Sequence, residues 1–123
     1  MTVLGIHHVQ LAMPAGGEEA ARSFYGGVLG LTEVDKPEHL RARGGCWFEI
    51  DRDTQLHLGV ETPFRPAAKA HPALVVADLE AMRSALVTAG APVVDDTQLA
   101  GFVRFYTADP FGNRLEIMAR LTT

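Results

Sequence analysis

Four residues that can bind a metal ion stand out in this chain, because each occurs within a short apolar segment. They are three histidines and one glutamate: His8, His57, His71 and Glu116. Side chains alternate between the two faces of a strand, and by this rule each of the four lies on the face opposite its apolar neighbours. Imidazole and carboxylate groups together suit zinc, nickel, iron or manganese. The pattern predicts that all four face one cavity and bind a divalent metal.

Two further residues have side chains that could take part in chemistry. His7 stands beside His8, but strand alternation places it with the apolar Val9, which favours a structural role. Cys46 is the only cysteine, so no internal disulfide is possible. It precedes Trp47 in an apolar stretch, and this environment predicts a buried, inert thiol and not a nucleophile.

The size and composition of the chain limit its class. A length of 123 residues, with 47% hydrophobic and 21% charged residues, predicts one folded globular domain. A formal charge of −4 without a dense run of Lys or Arg argues against nucleic acid and membrane partners and favours a small molecule. The sequence shows neither a signal peptide nor a membrane-spanning apolar stretch, so we expect a cytoplasmic location.

The first half of the sequence predicts a strand, a helix and then three strands. Apolar residues recur at helical spacing between residues 18 and 29, and Gly30 is suited to a left-handed helix end. Gly44 and Gly45 mark a turn, as do residues 51–53. The predicted strands cover residues 4–12, residues 31–34 running on toward Arg43, residues 46–50 and residues 55–60.

The second half repeats this order. Asp78 is a good N-cap for a helix that ends at Gly90, and residues 109–113 form a turn. The predicted strands cover residues 71–76, 92–94, 102–107 and 114–120. We therefore predict an α+β fold of two tandem βαβββ modules, residues 1–62 and 71–123, whose sheets curl around a cleft. Residues 63–70, which include Pro63 and Pro66, have the composition of a linker.

Four stretches of the sequence together match a known pattern: residues 6–12, residues 23–25 with 29–31, residues 71–79 and residues 105–116. They resemble the vicinal oxygen chelate superfamily, which includes glyoxalase I, fosfomycin-resistance proteins, methylmalonyl-CoA epimerase, extradiol dioxygenases and bleomycin-binding proteins. The resemblance covers nearly the whole chain and is specific for the fold. It is much less specific for an activity, because one scaffold supports many.

The resemblance implies a metal site and a homodimer. In the superfamily the metal ligands come from the first and last strands of each module. By position, the resemblance therefore implies that the ligands here are His8, His57, His71 and Glu116. The residue at the position of His57 differs among members in type and in whether it binds the metal. Members of this length usually pair a module of one chain with a module of another. A bound Ni, Zn, Mn or Fe ion acts as a Lewis acid, and the resemblance to glyoxalases implies that Glu116 is the catalytic base.

Aromatic and cationic residues near these strands are candidates for the substrate pocket. Each candidate also has an interpretation without a substrate. The apolar rings could pack in the core, the arginines could lie on a solvent-exposed face, and the tyrosine hydroxyl could have a purely structural role. An arginine could pair with a substrate carboxylate or phosphate, and the tyrosine could donate to a bound oxyanion. The substrate-binding candidates are Trp47, Phe102, Arg104 and Tyr106, with Arg43 and Met118 as further residues of the pocket wall.

Three functional hypotheses follow from the resemblance. The first is a divalent-metal-dependent glyoxalase-like enzyme, a lyase or isomerase that acts on a small oxygenated substrate. The second is a metal-independent binding protein of the bleomycin-resistance type. The third is an Fe(II) extradiol-type dioxygenase, in which His8, His71 and Glu116 would form the two-histidine, one-carboxylate triad. The short chain disfavours the third, and the retained ligands disfavour the second.

Overall fold

The structure is a computed structural model that describes residues 1–121. The chain consists of two compact units, Met1–Arg65 and the chain from Pro66 onward. Each unit contains one four-stranded sheet and one helical segment before its second strand. The predicted α+β fold of two βαβββ modules is confirmed.

The first unit begins with a strand that is followed by a continuous helical segment. The segment is α-helical over Glu18–Ala21 (α1) and continues as a π-helix over Arg22–Val28. The wider turn is visible where the amide of Leu29 donates to the carbonyl of Phe24, 2.9 Å away. Gly30 then takes the left-handed conformation, with φ of 77°, and ends the helix as predicted. The strands are β1 His8–Met13, β2 Thr32–Val34, β3 Cys46–Glu49 and β4 Gln55–Val60.

The first sheet has the strand order β1-β4-β3-β2, with β1 and β4 parallel and the other pairs antiparallel. One face of the sheet packs on the helical segment, where the rings of Tyr25 and Phe48 lie 5.6 Å apart. Leu56 and Leu58 are fully buried on this face. The alternation of side chains then places His57 on the opposite face.

The second unit repeats the arrangement. Its helix α2, Leu79–Thr88, begins after Asp78, whose carboxylate accepts a hydrogen bond from the amide of Ala81 at 3.0 Å. Gly90 ends it with φ of 82°. Both the cap and the stop are as predicted. The strands are β5 Ala73–Val75, β6 Val94–Asp95, β7 Phe102–Ala108 and β8 Arg114–Arg120.

The second sheet has the order β5-β8-β7-β6, which matches the first sheet strand for strand. Strand β5 runs parallel to β8, and the remaining pairs are antiparallel. Phe105, Leu115 and Ile117 are fully buried on one face of this sheet, and α2 packs against β8. Glu116 and its cross-strand partner Tyr106 lie on the other face.

Several predicted boundaries differ from those observed. The extension of β2 toward Arg43 is wrong, because Glu38–Arg43 forms a 3-10 helix directly after Pro37, whose fixed φ favours a helix start. The first strand begins at His8 and not at residue 4, and β5 begins at Ala73, so His71 precedes its strand. Within residues 1–121, no helix has the length and apolar character needed to cross a membrane.

Candidate functional site

Glu116 is the centre of a polar cluster on the second sheet. It lies in the middle of β8, and its residue surface is only 4% exposed. One carboxylate oxygen, Oε1, is 2.9 Å from Nε2 of His71, and the other, Oε2, accepts a hydrogen bond from Nη1 of Arg104 at 3.1 Å. Both oxygens of a buried carboxylate are therefore engaged by basic side chains.

The orientation of the His71 ring is set by the main chain. Its Nδ1 lies 2.8 Å from the carbonyl oxygen of Lys69, and a carbonyl only accepts, so Nδ1 must carry a hydrogen. In the neutral ring, Nε2 then holds a lone pair that faces Glu116 Oε1. Two acceptors at this distance need a proton or a metal ion between them. A ring whose second N–H donates to a carbonyl is the usual arrangement of a metal-binding histidine.

The electrostatics favour the ionised form of Glu116. Burial is the largest single influence and by itself would raise the pKa of the carboxyl group. The hydrogen bonds from His71 and Arg104 together outweigh burial, so the pKa of Glu116 is lowered from its ordinary value. The hydrogen bond to Glu116 likewise raises the pKa of Arg104. Glu116 is therefore a carboxylate at neutral pH.

Arg104 connects this carboxylate to the rest of the cluster. Its Nε donates to the carbonyl of Thr97 at 2.9 Å, and its Nη1 also donates to the hydroxyl of Tyr106 at 3.1 Å. Its Nη2 lies 3.5 Å from a carboxylate oxygen of Asp96. The predicted substrate-binding arginine is thus already held by several partners. Thr97 and Asp96 were not among the predicted site residues.

The two aromatic candidates on β7 each contact an arginine. The guanidinium of Arg114 lies 3.9 Å from the centre of the Tyr106 ring, and the His71 ring meets the same ring edge-on at 5.1 Å. Arg120 lies 5.0 Å from the centre of the Phe102 ring. Both rings are partly exposed and neither belongs to the buried core of the second unit.

A column of three rings occupies the polar face of the first sheet. His57 stacks on Trp47 with ring centres 4.0 Å apart and planes 4° apart, and on His8 with centres 4.1 Å apart and planes 12° apart. His57 is 3% exposed, and its Nε2 lies 2.8 Å from Oε1 of Gln55. His7 is exposed and touches the end of the column through a 2.9 Å contact between its Nδ1 and that of His8.

The stack disfavours a positive charge on His57. Burial, followed by the charge of His8, lowers the pKa of His57 to about 4, so the ring is neutral at neutral pH. The stack also limits metal binding, because a ring nitrogen holds a metal about 2.0–2.1 Å away in the plane of its ring. Two nearly parallel planes cannot both contain one ion. His8 and His57 in this arrangement therefore cannot bind the same metal together.

Comparison with known proteins identifies the family. The family model described as "Glyoxalase-like domain" matches residues 10–118. The chain belongs to the glyoxalase-like domain family. It is therefore a member of the glyoxalase, bleomycin resistance protein and dioxygenase superfamily that the sequence motifs resemble. No curated protein matched the chain closely enough to count as a relative.

Solved structures share the fold of this glyoxalase-like domain. A protein from Bacillus anthracis assigned to the glyoxalase family is 45% identical, with 98% of each chain covered and a TM-score of 0.91. A superfamily member from Sphaerobacter thermophilus is 17% identical, with 96% and 98% covered and a TM-score of 0.76. TnmS3, an antibiotic binding protein from a Streptomyces species, is 21% identical, with 98% and 99% covered and a TM-score of 0.75. The last two likenesses concern the fold alone.

The structure groups the predicted site residues into two sets within this glyoxalase-like domain. His8, His57 and Trp47 form the column of the first unit, and His71, Glu116, Arg104 and Tyr106 form the cluster of the second. Among residues 1–121, no three His, Cys, Asp or Glu side chains come together closely enough to hold a metal ion. Each unit by itself thus supplies part of the predicted ligand set.

The predicted residues of the pocket wall lie in different places. Arg43 and Trp47 line a cavity of about 150 Å³ in the first unit, together with Lys36 and Gln10. Met118 is buried on β8, directly opposite Arg104.

Cys46 is buried as predicted, and burial, followed by the charge of Glu33, raises the pKa of its thiol to about 11. Such a thiol is a poor nucleophile at neutral pH.

Proposed function

We propose that this glyoxalase-like domain is a divalent-metal-dependent enzyme, a lyase or isomerase that acts on a small oxygenated substrate. The observation that carries this proposal is the orientation of His71, whose Nδ1 hydrogen is held by the Lys69 carbonyl. The other ring nitrogen, Nε2, faces the buried carboxylate of Glu116 2.9 Å away, where a metal ion can take the place of the shared proton. This combination of donors and hydrogen bonding fits a divalent ion of the zinc, nickel, manganese or iron type.

The proposed ligands are His71, Glu116 and His8. His57 is left out of the set because its ring lies face to face with that of His8. His8 belongs to the first unit and the other two ligands to the second, so we also propose a homodimer in which each site draws ligands from both chains. When bound, the metal would supply Lewis acidity toward neighbouring oxygens of the substrate.

The remaining residues have roles that follow from their contacts. Tyr106 accepts a hydrogen bond from Arg104, which leaves its own hydroxyl hydrogen to donate to a substrate oxygen. Trp47 and Phe102 would supply apolar surface, and Arg104 a positive charge, for the same substrate. Glu116 is the proposed base. The hydrogen bond from Arg104 lowers its basicity, so loss of this bond would make Glu116 a stronger base.

Elemental analysis of protein purified without a histidine tag tests the proposal. About one equivalent of a divalent metal per complete site is expected after loading and gel filtration, and His71→Ala or His8→Ala should abolish retention. His39→Ala is the matched control, because His39 is an exposed histidine in the 3-10 helix. Metal retention that is equal in all four proteins, or absent in the unmodified protein, would contradict the proposal.

Turnover assays then separate the reaction classes. Methylglyoxal with thiols, catechols and fosfomycin should be tested with Ni²⁺, Zn²⁺, Mn²⁺ and Fe²⁺. Glu116→Gln should remove any exchange of a proton next to a carbonyl in substrates that are turned over. Proton exchange at the unmodified rate in this variant would remove Glu116 as the proposed base.

A second candidate function is metal-independent binding of a small molecule. The specific observation in its favour is that Arg104 and His71 already contact both oxygens of Glu116, at 3.1 and 2.9 Å. The ring column of His8, His57 and Trp47 would then serve as part of a recognition surface. Ligand binding that is unaffected by a chelator, in a protein that retains no metal, would favour this function over the first.

A further inference from the structure

Glu116 has a competitor for the metal among the side chains of its own sheet. Its Oε2 accepts from Nη1 of Arg104 at 3.1 Å, and the side chains of both residues are largely buried, 6% and 13% exposed. A carboxylate oxygen held by a buried guanidinium is not simply open to a metal ion. A cation that binds Oε2 competes with this contact and can replace it, and one that binds Oε1 lies close to the same positive charge.

Arg104 has other partners that can retain it after such a replacement. Its Nε donates to the Thr97 carbonyl, its Nη1 also donates to the Tyr106 hydroxyl, and its Nη2 lies 3.5 Å from the carboxylate of Asp96. These three contacts involve groups other than Glu116. The guanidinium can therefore leave the carboxylate and still keep hydrogen-bond partners, which makes the exchange physically accessible.

We infer that Arg104 is the built-in counter-charge of Glu116, which competes with a divalent metal ion for this carboxylate. The inference rests on the proposed metal-dependent function. A divalent ion at Glu116 would be repelled by a guanidinium within hydrogen-bonding distance of the same carboxylate, and this repulsion is strong because solvent screens a buried pair poorly. Arg104 thus weakens metal affinity, and metal binding moves Arg104 toward Asp96 and Tyr106.

Isothermal titration of the untagged protein with Zn²⁺ and with Mn²⁺ tests this inference. Arg104→Gln removes the competing charge and should tighten metal binding by about tenfold or more. Arg120→Gln is the matched control. Arg120 is an exposed arginine on the same face of the same sheet that contacts the Phe102 ring, and its removal should change the affinity by no more than about threefold.

The outcomes separate this inference from the proposed function. Tighter binding by Arg104→Gln than by both the unmodified protein and Arg120→Gln supports the inference. Binding by Arg104→Gln with none by the unmodified protein supports the competition but contradicts the metal-dependent function of the unmodified protein. If the unmodified protein binds metal and Arg104→Gln binds it equally or more weakly, the inference is overturned and the metal-dependent function stands. If neither protein binds any of the metals, both the inference and the metal-dependent function are overturned.

A measurement on the unmodified protein covers the case in which Arg104→Gln does not fold. Arginine labelled with ¹⁵N reports the guanidinium groups by NMR during titration with diamagnetic Zn²⁺. The Arg104 signals should shift at saturation while those of Arg120 stay in place. Arg104 signals that remain unchanged at saturating Zn²⁺ would overturn the inference.

Discussion

The imidazole of His57 lies parallel to the indole of Trp47, with the ring centres 4.0 Å apart. The two residues are directly opposite each other on β4 and β3. Because the other side of the His57 ring is covered by His8, the imidazole is enclosed between two rings. Its acid-base behaviour therefore depends on the stack.

Removal of the indole should restore ordinary titration to His57. In Trp47→Ala we expect the pKa of His57 to rise from about 4 toward its usual value of 6.5, because burial is the main cause of the depression. NMR titration of the ring protons measures this. Phe102→Ala is the control, since it removes a partly exposed ring of the second unit that contacts Arg120. A His57 pKa that stays near 4 in Trp47→Ala would contradict the prediction.

Stability should fall between pH 6.5 and pH 4 because of His57. Its pKa is about 4 in the folded protein and 6.5 in the unfolded chain, so the unfolded state binds more protons in this window. The contribution of His57 to the free energy of unfolding is about 3 kcal/mol in total. It is fully present above pH 6.5 and is lost as the pH falls through 4. Urea unfolding of the unmodified protein and of His57→Gln over this range should show a smaller slope for the variant. Equal slopes would assign the acid sensitivity to other groups.

Breaking the Glu116 ion pair should destabilise the protein more than breaking an exposed pair. Glu116→Gln keeps the shape of the side chain but removes the closer and more buried of the two carboxylates that pair with Arg104, and we expect a loss of about 2 kcal/mol at neutral pH. Glu80→Gln is the matched control. Glu80 pairs with Arg83 at 3.2 Å but is 76% exposed, and its loss should cost less than about 0.5 kcal/mol. Chemical unfolding of both variants gives the comparison, and equal losses would contradict it.

Two aspartates in similar turns should differ in importance because of burial. Asp109 is buried and accepts from the amides of Phe111 and Asn113 at 2.9 and 2.8 Å, whereas Asp51 is exposed and accepts from the amides of Asp53 and Thr54 at 2.8 and 2.9 Å. Asp109→Ala should cost about 3 kcal/mol, because it leaves buried amides unsatisfied. Asp51→Ala should cost about 1 kcal/mol, since water can replace the carboxylate. Thermal and urea unfolding should rank them in this order.

The fold was predictable from local signals. Strand alternation, the Asp78 cap and the glycines at positions 30 and 90 each depend on neighbouring residues, and all agree with the structure. The 3-10 helix after Pro37 was missed, although proline at a helix start is a signal in the sequence. The repeat of the βαβββ order of elements in both halves followed from the same local evidence, whereas the order of the strands within each sheet was not predicted.

The contacts of the site were only partly predictable. The turn between β7 and β8 sets the register that places Tyr106 opposite Glu116, so this pairing and the nearby Arg104 could be read from the sequence. The contact of His71 with the carbonyl of Lys69 could not be predicted, because every residue has a main-chain carbonyl and its type gives no sign of this role. The stacking of His8 and His57 depends on ring rotation, which strand parity does not determine.

The carbonyl that orients His71 belongs to a stretch outside the sheet, two residues before the ring that it holds. An insertion or deletion between Lys69 and His71 would therefore change the partner of Nδ1, although neither residue belongs to the buried apolar core. Related chains could in this way acquire different reactivities through changes in the length of one connecting segment, while their scaffolds remain superimposable.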